Sequence, residues 1–174
     1  MVPVAASAEK ADRDKPTHIE SDQLVHDELN QVSIFTGHAV LTRGTMVMRG
    51  ERIEMREDPD GYQFGVVLPA PGKRAFFRQK REGVNEFIEG EGLRIEYDGK
   101  KDVVTILDKG EVRRYRGTTL ADQMLGQRIV YENLTDVFSI DGQRPGGAQS
   151  SAGGRVRATL VPKEKRDDKR EDKP

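Results

Sequence analysis

One stretch near the start of the chain decides the fold: KPTHIESDQLVHDELNQVSIFTGHAVLTRGTMVMRGERIEM, residues 15–55. Strand-like runs recur in it about every eight residues, separated by Gly37, Gly44 and Gly50. Within the runs apolar residues alternate with polar or small ones, as around Ile53. Successive side chains of a strand point to opposite faces, so this alternation predicts half-buried antiparallel strands.

Turn signals continue through the rest of the chain and leave little room for helices. The only helix-tolerant stretch runs from Thr119 to Gln127, and Gly117 and Gly126 restrict it to a turn or two. The sequence therefore predicts an all-β protein. The turn signals are Asp58-Pro-Asp-Gly61, Pro69-Ala-Pro-Gly72, Asp98-Gly99, Lys109-Gly110 and Asp141-Gly142.

A short unit occurs three times: GERIEM (residues 50–55), GLRIEY (92–97) and GQRIVY (126–131). In each unit the isoleucine and the last residue are two positions apart and share one face, whereas the arginine faces the other way. The units are too far apart for single hairpins. They predict a repeated group of strands, each stacked on the last, in a layered or rolled sheet.

Composition limits the classes of function. Charged and hydrophobic residues each make up 34% of the chain, so either part of it is disordered or the fold is thin and extended. The net charge of −1 provides no overall field for nucleic acid or an anionic membrane surface. The lack of cysteine excludes disulfides and thiolate metal sites, but does not separate cytosol from periplasm.

Three segments are predicted along the chain. Residues 1–15 form a flexible leader, and Ala6-Ser7-Ala8 either marks the remnant of an export signal or is simply part of an alanine-rich leader. Residues 16–162 form the β-domain, and residues 163–174 form a charged tail expected to be disordered. Nothing in the chain approaches the roughly 20 apolar residues of a membrane-spanning helix.

Catalytic and metal-binding patterns do not stand out. His18 and His26 are too far apart on a strand to share a metal, and no nucleophile, phosphate or zinc motif occurs. The basic run of residues 73–81 surrounds Phe76 and Phe77, which predicts a solvated cationic strand face rather than a nucleic-acid site. Such cations beside an apolar face also suit an amphiphile that carries phosphate groups. We expect no enzyme and no cofactor.

The apolar face is the remaining candidate for function. Methionines such as Met46, Met48, Met55 and Met124 add adaptable side chains to it, as suits a wall that accepts variable acyl chains. The alternative is that this face is ordinary protein core.

The order of motifs resembles the LptA/OstA family of periplasmic lipopolysaccharide-transport proteins. The family pattern of I-x-S-D, F-x-G-N-V and Q-G-x-I-x-A-D-x-V is matched by residues 19–22, 35–40 and 43–53, and more loosely up to residues 159–162. The chain departs from it at Thr17, where the family has an apolar residue, at His38, where it has asparagine, and at Gly50-Glu51, where it has Ala-Asp.

The resemblance implies an incomplete β-jellyroll, a V-shaped double antiparallel sheet with open ends. It also implies that the protein is periplasmic and holds lipid A acyl chains of lipopolysaccharide in an apolar groove, without nucleic acid or a cofactor. Monomers would associate end to end by strand addition, between inner-membrane LptC-like and outer-membrane LptD-like proteins of the same fold. The chain has neither a membrane-spanning helix nor a large barrel, which favours the free periplasmic member.

Two sets of site residues follow from this hypothesis. The inward, lipid-binding residues are Ile19, Phe35, Ala39, Leu41, Met46, Met48, Ile53, Met55, Phe77, Ile95, Tyr97, Ile129 and Tyr131. Head-group phosphates are expected at the mouth of the groove near Arg74, Arg78 or Lys80. Two alternatives stay open: a structural or interaction module of the same fold without lipid cargo, and an enzyme of unknown type on a β-roll.

Overall fold

The computed structural model describes residues 12–81, 83–143 and 154–162 of the 174-residue chain. These residues contain twelve strands and no α-helix, which confirms the all-β prediction. The stretch from Thr119 to Gln127 is also strand. The strands are β1 (His18–Glu20), β2 (Gln23–Asp27), β3 (Val32–Arg43), β4 (Met46–Glu57), β5 (Gln63–Leu68), β6 (Ala75–Lys80), β7 (Glu86–Gly92), β8 (Arg94–Asp98), β9 (Val103–Arg116), β10 (Thr119–Glu132), β11 (Val137–Asp141) and β12 (Arg157–Leu160).

The four longest strands each contribute to two layers. In β4, residues 47–49 pair with β6, whereas residues 52–57 pair with β5. In β9, residues 103–107 pair with β8 and residues 111–116 pair with β7. Layer A contains β2, β5, β8, β11 and residues 32–36, 52–57, 103–107 and 128–132 of the long strands. Layer B contains β1, β6, β7, β12 and residues 39–43, 46–49, 111–116 and 119–125.

The layers join along one side, which we call the corner; it consists of residues 37–38, 50, 108–110 and 126. The register of β3 against β4 shifts there, and Gly37 and His38 have φ angles of 86° and 48°. At Gly50, a Cβ atom would lie 2.6 Å from the carbonyl oxygen of Leu68. Glycine lets the backbone bend and pack this closely, so each long strand turns from one layer into the other without ending.

The three sequence repeats occupy equivalent positions in layer A. Their glycines lie where the chain enters this layer, and a Cβ at Gly92 or Gly126 would lie 2.5 Å from an isoleucine Cγ2 of the neighbouring strand. Their isoleucines are buried, and the side chains of the arginines point to the outer face. Each isoleucine faces an apolar residue of the next strand: Ile53 faces Val67, Ile95 faces Ile106 and Ile129 faces Ile140.

Inward side chains of the two layers form one core. In layer A a row of cross-strand partners consists of Leu24, Phe35, Ile53, Val67, Ile95, Ile106, Ile129 and Ile140. In layer B the corresponding row consists of Ile19, Leu41, Met48, Phe77, Gly90, Val112, Met124 and Ala158. The Ile106 Cδ1 atom fills the space beside Gly90, 2.3 Å from where a Cβ would be.

Candidate functional site

The residues predicted to face inward come together in the space between the layers. Eleven of the thirteen belong to the buried core cluster, and none of these eleven is more than 8% exposed. The other two, Ile19 and Phe35, are partly buried and pack against that cluster. The alternation in the sequence therefore located the interior, while contact of these residues with lipid stays a prediction.

Several interior residues were not predicted. Val67, Ile88, Val104, Ile106 and Val112 are each no more than 1% exposed and belong to the same cluster. Their strands carry apolar residues on both faces, so the alternation does not say which face is inside. For Val67 and Ile106, pairing with Ile53, Ile95 and Ile129 across layer A is the signal that separates the two faces.

The interior closes on the side opposite the corner, which we call the mouth. The mouth consists of the β3–β4 and β6–β7 turns of layer B and the β4–β5, β8–β9 and β10–β11 turns of layer A. A cavity of about 30 Å³ remains there, lined by Arg43, Tyr97 and Tyr131 among others. This volume holds about two water molecules and is too small for an acyl chain.

Two tyrosines connect the core to the mouth. The Tyr97 hydroxyl accepts a hydrogen bond from Arg43 Nη1 at 2.8 Å, and the Tyr131 hydroxyl donates to Asp136 Oδ1 at 3.0 Å. Burial raises the pKa of Tyr97 to about 12, and burial likewise raises the pKa of Tyr131. The Tyr131 ring packs toward both Phe77 of layer B, at a centroid distance of 6.5 Å, and Phe138, at 4.4 Å.

The predicted head-group residues do not share one location. Arg74 lies near the corner and forms ion pairs with Glu91 at 3.0 Å and Glu111 at 2.9 Å. In β6 the residues on either side of Arg78 are buried, so the Arg78 side chain projects from the outer face of layer B. Of these three residues, only Lys80 lines the small cavity at the mouth. Head-group contact stays a prediction for all three.

Arginines cover aromatic rings on the outer faces. The Cζ atoms of Arg49 and Arg78 each lie 4.2 Å from the ring centroids of Phe76 and Phe87, respectively. Stacking of this kind shields outward phenylalanines from water. Within the basic and aromatic run of residues 73–81, it covers the outward ring of Phe76 and engages Arg78.

The three histidines lie at or near the β1–β2 end of the molecule. His26 contacts Ser33 and Glu28 at 2.9 and 2.8 Å, and the His38 Nδ1 atom lies 2.9 Å from Asp22 Oδ2. The hydrogen bond to Asp22 raises the pKa of His38. Within the described ranges, no group of three or more His, Asp or Glu side chains is arranged to hold a metal ion.

Both layers end in strands that pair on one side only in the part of the chain described here. β1 and β2 pair with β3, and β11 and β12 pair with β10. The inward rows reach these ends, where Leu24 of β2 is 56% exposed and Leu160 of β12 is 69% exposed. The ends thus present open backbone groups together with apolar side chains.

Residues 18–137 match the model of the family described as LptA/(LptD N-terminal domain) LPS transport protein. This chain belongs to that family. The match covers every strand except β12 and the last residues of β11. It therefore includes the corner, the mouth and the β1–β2 end.

Curated relatives agree with the family. The chain is 26% identical over 160 residues to the lipopolysaccharide export system protein LptH of Pseudomonas aeruginosa, covering 92% of this chain and 87% of that protein. It is 29% identical over 141 residues to the lipopolysaccharide export system protein LptA of Escherichia coli K12, covering 81% and 74%.

The fold also matches a solved structure. The crystal structure of Pseudomonas aeruginosa LptH, described as the LptA-homologous periplasmic component of the lipopolysaccharide transport device, superposes with a TM-score of 0.75 at 21% identity. The match covers 87% of this chain and 99% of that one, which confirms the predicted fold class. No helix in the described residues is long and apolar enough to cross a membrane.

Proposed function

We propose that this chain is a non-catalytic carrier of lipopolysaccharide in the periplasm, one subunit of a bridge between the inner and outer membranes. Lipid A acyl chains are held between layers A and B. The observation that carries the proposal is that apolar rows cross both layers and reach, at both ends, strands that pair on one side only among the described residues. Family membership and relatives named for lipopolysaccharide export support it.

The chemistry of the interior suits hydrocarbon. It consists of aliphatic, methionine and aromatic side chains, and Met46, Met48 and Met55 can change shape with the ligand. Each acyl CH₂ group removed from water contributes about 0.8 kcal/mol, so part of one chain supplies several kcal/mol. That is enough for capture and still permits transfer to the next subunit.

The edge strands supply the coupling between subunits. A neighbouring copy, or an LptC-like or LptD-like protein of the same fold, adds its terminal strand to β1 and β2 at one end or to β11 and β12 at the other. Such pairing continues the backbone ladders and brings the inward rows of two subunits into line. The apolar interior then extends from one subunit to the next.

A scaffold of the same fold without cargo is the second candidate. The closed interior favours it, since the predicted binding residues in the core cluster are at most 8% exposed and pack against one another. In that case the layers form an ordinary core and the ends alone are functional. Labelling of the interior by lipid distinguishes the two candidates.

Photo-crosslinking tests for cargo with a matched pair on one strand. Phe77 faces the interior and Phe76 faces outward, so the same photoreactive phenylalanine at each position compares the two faces of β6. We expect at least about tenfold more lipopolysaccharide adduct at Phe77 than at Phe76, and similar preference for Tyr97 over Arg94. Equal labelling of both faces favours the scaffold.

Proline substitution tests the end-to-end coupling. Successive backbone N–H groups of an edge strand point alternately to its partner strand and to the open side. Of Ile19→Pro and Glu20→Pro, one therefore removes an N–H that pairs with β3, and the other removes an N–H on the open side. We expect the variant that lacks the open-side N–H to keep the wild-type unfolding midpoint. In light scattering, its particle size should no longer increase with protein concentration. Unchanged growth in both variants contradicts strand addition at β1.

A further inference from the structure

Side chains from distant parts of the sequence fasten the two layers together at the mouth. Arg43, at the end of β3 in layer B, donates from Nη1 to the Tyr97 hydroxyl and from Nη2 to Gln63 Oε1, both at 2.8 Å. Both acceptors belong to layer A. The Arg43 Nε atom donates to Thr17 Oγ1 at 2.9 Å, and the residue is only 5% exposed. Every nitrogen of this guanidinium thus has a partner, and two of the three partners lie across the mouth.

A second fastening lies farther along the mouth. Arg81, which follows β6 in layer B, donates from Nε to Asp136 Oδ2 at 2.9 Å, and its Nη2 atom also contacts that carboxylate. Asp136 lies in the β10–β11 turn of layer A and also accepts from Tyr131. Its hydrogen bond raises the pKa of Arg81. Glu86 pairs with the same arginine from within layer B.

The segment before β1 adds a strap across the same side. Asp12 accepts a hydrogen bond from the backbone N–H of Thr45 at 3.0 Å and another from its hydroxyl. Arg13 donates to the backbone carbonyl of Lys100 in layer A at 3.3 Å. These two neighbours therefore connect the β3–β4 turn of one layer with the β8–β9 turn of the other.

Each of these contacts involves at least one side chain, whereas the corner is continuous backbone. A separation of the layers that pivots at the corner breaks the Arg43 and Arg81 contacts and leaves the strand ladders within each layer intact. It also exposes Tyr97, Tyr131 and Met46, which lie beneath the mouth. Because the cavity at the mouth is only about 30 Å³, acyl chains that enter on this side require such a separation.

We infer that Arg43 and Arg81 control the lateral admission of acyl chains to the interior, which opens along the mouth only when their contacts with layer A break. The inference rests on the proposed function. It assigns a role to two residues that the sequence pattern did not select, and it identifies the mouth as the entrance for the hydrocarbon part of an amphiphile.

Opening can be measured without lipid because the chain has no cysteine. Met48 is 1% exposed, so Met48→Cys places a single thiol in the interior, and its labelling rate by a small thiol reagent reports the open fraction. We expect Asp136→Asn, which removes the interlayer carboxylate, to increase that rate at least about tenfold. Glu86→Gln, which removes the Arg81 partner within layer B, is the matched control and should change the rate less than about threefold.

Locking the mouth tests admission directly. In the variant Arg81→Cys/Asp136→Cys, a cleavable bifunctional thiol reagent joins the two layers. We expect uptake of a fluorescent fatty acid and of lipopolysaccharide to fall about tenfold when the bridge is intact and to return when it is cleaved. Unfolding curves of each variant establish that the protein is folded.

The outcomes separate the two proposals. Unchanged Met48→Cys labelling in Asp136→Asn, or undiminished uptake in the locked protein, overturns the inference. If labelling is faster in Asp136→Asn but no variant binds lipid, the conclusion that these contacts fasten the layers stands and the proposed function is overturned. Faster labelling together with uptake that the bridge blocks supports both.

Discussion

The corner and the mouth join the same two layers in different ways. At the corner the long strands pass through bends such as Gly50 and residues 108–110, and backbone ladders continue on both sides. At the mouth the layers meet through side chains such as Arg43 and Arg81. The corner is therefore a hinge of continuous backbone. The mouth is held by side-chain hydrogen bonds, and it opens when these are exchanged for hydrogen bonds to water.

The largest effect is expected at the corner, from Gly50→Ala. The added Cβ meets the carbonyl oxygen of Leu68 at 2.6 Å and a methyl group of Val67 at 2.7 Å, and the backbone oxygen cannot move aside without disturbing β5. Overpacking of this kind should lower the free energy of unfolding by about 3 kcal/mol, measured by urea denaturation.

Gly65→Ala is the matched control for the corner. Gly65 lies in β5 of layer A, and its Cβ would come closest to the Met55 sulfur at 3.0 Å, where methionine can adjust; the next contact, with Tyr97 Cβ at 3.7 Å, is an ordinary one. We expect a loss of no more than about 1 kcal/mol. If the two substitutions cost the same, close backbone packing at Gly50 is not what holds the corner.

A smaller effect is expected at the mouth, from Arg43→Met. The substitution keeps an apolar stem and removes the three hydrogen bonds to Thr17, Gln63 and Tyr97. Leaving these partners without the guanidinium should cost about 2 kcal/mol of unfolding free energy. Tyr97→Phe removes one of these bonds together with the hydrogen bond that the Tyr97 hydroxyl donates to Asp102 at 3.3 Å, and should cost about 1 kcal/mol.

Arg94→Met provides the comparison for the mouth. Arg94 pairs with Glu96 on the outer face of layer A at 2.6 Å, and both side chains are more than a third exposed. A surface pair of this kind should contribute less than about 0.5 kcal/mol. A loss from Arg43→Met as small as that from Arg94→Met would mean that the mouth is not held by its polar contacts.

The smallest effect concerns the surface of the corner, at His38. Its hydrogen bond to Asp22 and the charge of Asp22 raise its pKa above 6.5; Glu51 raises it further, and Lys73 and slight burial oppose them. Any stabilisation from this pair is therefore complete below pH 6.5 and is lost as the pH rises through the raised value. An NMR titration should find the pKa of His38 above 6.5 in the wild type and nearer to 6.5 in Asp22→Asn.

Alternation along single strands made much of the interior predictable. Ala39, Leu41, Met46 and Met48 alternate with polar or outward neighbours, and each is buried as expected. The same rule could not orient strands such as β5, in which Val66 and Val67 are both apolar. Only pairing of Val67 with Ile53 and Ile95 places it inside.

Contacts of the segment before β1 could not be predicted from the sequence. Asp12 and Arg13 fall within the predicted leader, yet their contacts with Thr45 and Lys100 attach them to the mouth. These contacts join residues 33 and 87 positions apart, and no local pattern signals them. Residues 1–11 of the leader and the charged tail lie outside the described residues.

Local patterns in this sequence determined the strands, the turns and most of the inward face, because those depend on neighbouring residues and on the period of two. The long-range fold decided the role of each basic side chain. Some cover phenylalanine rings, some pair with carboxylates, and some close the mouth. Arg43 reaches Tyr97 and Arg81 reaches Asp136 across separations of more than fifty residues. Charge and spacing along the chain do not contain that information, because it arises only when the two layers face each other.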